Sequence, residues 1–75
     1  MALTPNTQIA IIDRQIRDWE ETAFQAEVAH RVHTRVKSPD SRLDEFMNVM
    51  RDAEIALAEL RAMRDAIGAS GQEMI

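Results

Sequence analysis

Apolar side chains recur early in the chain at Ile9, Ile12, Ile16 and Trp19, a 3-4-3 spacing that marks one face of an α-helix. Beyond Trp19 the pattern changes. Ala23, Phe24, Val28, Val32 and Val36 continue mainly at four-residue steps, a stripe that lies well around the cylinder from the first. Either one helix shows two apolar faces to different neighbours, or the helix bends near Thr22–Gln25. Each arrangement calls for more than one packing partner.

The punctuation of the chain places the ends of this helix. Thr4-Pro5 reads as an N-cap followed by a proline at the first helical position, where its missing N–H is harmless. A helix over about 5–37 would be roughly 50 Å long at 1.5 Å per residue. Ser38-Pro39-Asp40-Ser41 is the break, because Pro39 disfavours helical geometry at Ser38 and removes a backbone donor. With Ser41 as the next cap, Asp44 falls at N3 and Glu45 follows, acids where the helix dipole favours them. The second helix is expected over about 42–67, ending at Gly68 with a frayed tail over 68–75. Its main stripe is Phe46, Met50, Ala53, Leu57, Leu60 and Ile67, flanked by Val49 and Ala56. A thinner strip holds Met47, Ile55, Ala58 and Ala62. A turn over 38–41 is short, so the two helices should lie antiparallel as one hairpin domain over 1–75.

Composition agrees with an all-α chain. Glycine and proline number two each among 75 residues, tyrosine is absent, and helix formers dominate. A domain this small buries only about 60% of its unfolded surface. Without cysteine it has no disulfide framework and no Cys-based zinc site. Homo-oligomerisation into a helical bundle, beginning with an antiparallel dimer, is the expected remedy. No basic leader opens the chain and no apolar run approaches the roughly 20 residues of a membrane span, so a cytoplasmic protein without a membrane partner is expected.

Charge then singles out one segment. Val28–Arg42 holds Arg31, Arg35, Lys37 and Arg42 against Asp40 alone, a net +3 in a chain whose net charge is −4. The overall acidity argues against duplex nucleic acid as a partner. It leaves room for a small anion at the basic bend, held by Arg35, Lys37, Ser38, Asp40, Ser41 and Arg42. A helix start presents open N–H groups and a positive dipole end, Ser38 and Ser41 add hydroxyls, and Arg suits phosphate. Ordinary helix capping and solvated charge would use the same residue types.

Other chemistry finds less support. Glu27-Val28-Ala29-His30 is an E-x-x-H step with His33 three further on, and Glu20, Glu54 and Glu59 would complete a di-iron carboxylate site between helices. One such step arises readily by chance in a Glu-rich helix. No cysteine or serine nucleophile has a partnered histidine and third orienting group. The chain is therefore read as no enzyme, with no cofactor and no resident metal.

Thr4-Pro5-Asn6, the Ile16-Arg17 step, Pro39-Asp40-Ser41-Arg42 and Asp52-Ala53-Glu54 together resemble the phage anti-CBASS cyclic-dinucleotide sponge family. The chain departs from that pattern at Leu43, where the family has glutamate, and in lacking a tyrosine in its first helix. The resemblance implies a small helical protein that forms compact homo-oligomers, hexamers among them. It also implies sequestration, without cleavage, of cyclic di- or trinucleotide messengers, in the cytoplasm of an infected bacterial host. Asp40, Ser41 and Arg42 carry the motif; Arg35 and Lys37 join them through charge and proximity. A helical-hairpin protein-interaction or scaffold module is the alternative.

Overall fold

The computed structural model describes residues 3–73, and the side chains of residues 3–69. It is an antiparallel hairpin of two helices, α1 (Pro5–Arg35) and α2 (Asp40–Glu73). Helix α1 begins as the Thr-Pro step predicts. Thr4 Oγ1 accepts the Thr7 N–H at 3.2 Å, and Pro5 takes the first helical position. It then runs unbroken through Thr22–Gln25, so its two apolar faces belong to one continuous helix.

The two helices meet along one heptad seam. On α1 the inward positions are Ile9, Ile12, Ile16 and Trp19, then Ala23, Ala26, His30 and His33, all buried or half-buried. On α2 they run Leu43, Phe46, Met50, Ala53, Leu57, Leu60 and Ile67, with Arg64 the exposed exception. Spacing of three and four keeps each set facing its partner, as in antiparallel coiled coils. Core packing concentrates towards the open end, where Ile12, Ile16, Leu57 and Leu60 form a buried cluster edged by Trp19 and Ile67. Buried Ala26 and Ala53 narrow the middle. Near the bend the seam closes on an aromatic pair, His33 and Phe46, with ring centroids 5.0 Å apart.

Three boundaries differ from the expectation. Helix α1 stops at Arg35 rather than 37, because Lys37 turns left-handed with φ 60°. The Lys37 N–H then bonds the Thr34 carbonyl at 3.2 Å and the Ser38 N–H bonds the His33 carbonyl at 2.9 Å, a Schellman closure without glycine. Helix α2 starts at Asp40 rather than 42, and the Pro39 carbonyl, not Ser41, opens it by accepting the Arg42 and Leu43 N–H groups at 3.0 and 3.3 Å. Gly68 does not end α2, which continues to Glu73. Gly68 carries no positive φ, so the left-handed cap expected there is not formed and residues 68–73 are helix instead of tail. Positions 74–75 of the expected tail lie outside the described residues.

Much apolar surface stays open. Phe24, Val28, Val32 and Val36 are 63%, 44%, 53% and 65% exposed, and Ile55 on α2 is 64% exposed. Among the described residues no helix is long and apolar enough to cross a membrane.

Candidate anion-binding site

The bend that carries the basic charge is built by the same few residues that end α1. Left-handed geometry at Lys37 reverses the chain, and Pro39 prevents α1 from continuing. Ser38 is half-buried, and its Oγ lies 2.7 Å from His33 Nδ1. Schellman closures commonly pair these two positions through an apolar contact; here a hydrogen bond replaces it. His33 in turn lies against Phe46, so one histidine joins the cap of α1 to the first turns of α2.

This geometry sorts the six candidate residues into two groups. Arg35 and Lys37 edge an open depression of about 930 Å³ along α1, shared with Glu27, His30, Arg31, Val32 and Thr34; the Glu27 carboxylate at its far end is turned to Arg31. Asp40, Ser41 and Arg42 lie across the bend in the first turn of α2. Ser38 sits between the groups with its hydroxyl oxygen 2.7 Å from His33 Nδ1, which ties it to the inside of the bend. Asp40 stands at the first position of α2, where its carboxylate complements the dipole and opposes a phosphate. What it can offer an anion is its backbone N–H, which with that of Ser41 has no intrahelical acceptor.

The cations are well disposed for a ligand. Arg35, Lys37 and Arg42 are exposed, and none makes an ion pair among the described residues. Arg31 reaches Glu27 Oε1 at 3.5 Å, an exposed pair of the kind that contributes little to stability. Arg31, His30 and Thr34 enter the depression without having been singled out as anion contacts in the sequence. Their signal was the four-residue step from Arg31 to Arg35 and from His30 to Thr34, which places each pair on one helix face.

The side chains of the E-x-x-H segment have other neighbours within the hairpin. His33 is turned to Ser38 and Phe46, and Glu27 to Arg31. No group of three His, Asp or Glu side chains suited to an ion is assembled among the described residues.

No protein-family model matches this chain, and neither a curated protein nor a solved structure matches it.

Proposed function

We propose that this chain is a non-catalytic binding protein that sequesters an anionic ligand at the basic bend, with cyclic nucleotide second messengers as the ligand class. The observation that carries this is the set of three exposed, unpaired cations, Arg35, Lys37 and Arg42, gathered at one end of an acidic chain. The Pro39–Arg42 resemblance supports the same ligand and a role in silencing host antiviral signalling. Phosphates would meet guanidinium groups and the open N–H groups of Asp40 and Ser41. A guanidinium plane or the Val32 surface would take a base. Binding is then stoichiometric, and no bond is made or broken.

Titration calorimetry against a panel of cyclic di- and trinucleotides tests the proposal. Binding that weakens at least tenfold in Arg42→Ala supports it. Absence of any binding tighter than about 100 µM, roughly −5.5 kcal/mol, refutes it.

A protein-interaction or scaffold module is the second reading. It is favoured by the outer stripe Phe24, Val28, Val32 and Val36, which the hairpin leaves uncovered. Under that reading Phe24→Ser abolishes capture of a partner protein while Arg42→Ala leaves it intact.

A further inference from the structure

Residues 33 and 38 are tied to each other twice. The Ser38 N–H bonds the His33 carbonyl at 2.9 Å, and Ser38 Oγ lies 2.7 Å from His33 Nδ1. Phe46 of α2 covers the imidazole from the seam side. Among the described residues His33 makes no other side-chain hydrogen bond and no ion pair. The proton in the Nδ1–Oγ contact has two placements. With Nδ1 bare, the Ser38 O–H donates to the ring, and the oxygen offers a ligand only lone pairs. With Nδ1 protonated, the ring donates to Oγ, and the hydroxyl hydrogen is released to point elsewhere. A sulfate or phosphodiester oxygen accepts and does not donate, so Ser38 can meet one only in the second placement. Half-burial of Ser38 holds its oxygen inside the bend while leaving part of the residue to solvent. It stands between Arg35 and Lys37 on one side and Arg42 on the other, three exposed cations without ion pairs among the described residues.

We infer that His33 is a positioning residue for the basic bend: with a proton on Nδ1 it turns the Ser38 hydroxyl out towards a bound oxyanion, so that anion binding and proton uptake by His33 strengthen each other. The inference rests on the anion reading of the bend and adds to it a specific donor and a pH dependence. Two forms of the ring carry Nδ1–H, the imidazolium and one neutral tautomer. Beside an oxyanion the imidazolium is favoured, because it brings a positive charge as well as the donor. Histidine is the side chain type that changes charge between about pH 5 and 8. Binding therefore tightens as the pH falls through that window, and by reciprocity the anion keeps the proton on His33 to higher pH. The charged and titratable groups around His33 are His30 and Lys37, one turn away along the chain, and Asp40, Arg42, Asp44 and Glu45 in the first two turns of α2. His30 supplies an internal reference. It edges the same depression and has no hydrogen bond to Ser38, so an anion acts on it through charge alone.

NMR of the full chain tests it, by following the ring C–H signals of both histidines through a pH titration in sodium sulfate and in sodium chloride at equal ionic strength. Sulfate is the probe because its own charge is constant across the window. Sulfate should shift the backbone amides of Arg35, Lys37, Ser38 and Arg42. It should also raise the titration midpoint of His33 by about half a pH unit more than that of His30, roughly threefold in proton affinity. Ser38→Ala should bring the rise at His33 down to that at His30, and Ser38→Thr, which keeps the hydroxyl, should restore it. Unchanged amide signals of the core residues Ile12, Ile16, Leu57 and Leu60 verify that each variant is folded. A rise at His33 that is the same in wild type and Ser38→Ala overturns the inference and leaves the anion reading in place. If sulfate at about 100 mM moves neither those amides nor either histidine, the anion reading falls and this inference with it.

Discussion

Lys37→Gly should make this protein more stable while removing one of its candidate ligand cations. Lys37 is the only non-glycine residue with positive φ among the described residues, at φ 60°. Left-handed geometry costs an L-residue about 1–2 kcal/mol, because Cβ crowds the following carbonyl. Glycine is free of that crowding but gains about 0.5–1 kcal/mol of conformational freedom in the unfolded chain. The difference leaves a net stabilisation of about 0.5–1 kcal/mol. For a domain of this length that corresponds to a rise in Tm of roughly 3–6 °C. Thermal unfolding followed by circular dichroism at fixed protein concentration measures it, since self-association would otherwise shift Tm by mass action. Lys37→Ala is the control, because it removes the charge but keeps the strained backbone. An unchanged or lowered Tm for Lys37→Gly would refute the account of the cap. So would an equal rise for Lys37→Ala, which would assign the effect to charge repulsion with Arg35 and Arg42.

Three more predictions follow from packing. His33→Ala and Ser38→Ala should each cost about 1–2 kcal/mol, and a double-mutant cycle in urea should give a coupling of about 1 kcal/mol for their hydrogen bond; additive costs would show that the contact is not made in solution. Leu57→Ala should cost about 2–5 kcal/mol, a large part of the stability of so small a domain. By contrast Ile55→Ala, at a position 64% exposed, should stay within about 0.5 kcal/mol of wild type. Gly68→Ala should stabilise α2 by about 0.5–1 kcal/mol, since a Cβ there meets nothing within 4 Å; a loss in the same urea titration would mean that α2 ends before Gly68.

The parts of this fold that were legible in the sequence are those where large apolar residues keep helical spacing. Ile9, Ile12, Ile16 and Trp19 announced one half of the seam, and the run from Phe46 to Ile67 announced the other. Between Trp19 and the bend the legible pattern misled. The stronger apolar stripe, Phe24 to Val36, is the outer one, while the seam continues through Ala23, Ala26, His30 and His33. Alanine and histidine carry little hydrophobic signal, and they are buried here because the preceding turns hold the two helices together. The cap was illegible for a related reason. Left-handed closure usually announces itself with glycine, and here a lysine adopts it, between the end of α1 and Pro39. Gly68 sent the opposite false signal, since nothing beyond it requires the helix to stop.

At the candidate site the sequence located the charge but not its partition. Arg35 and Lys37 belong to a depression on α1, Arg42 to the start of α2, and Ser38 to the internal bracing of the bend. Such a division depends on where α1 stops, which turns on one backbone angle at Lys37.

Native mass spectrometry of the chain purified from cells weighs assembly and ligand together. The account predicts a homo-oligomer with cyclic nucleotide retained, or taken up when supplied, and loss of that added mass in Arg42→Ala at unchanged assembly size. A bare monomer that takes up no cyclic nucleotide at about 100 µM would contradict it on both counts.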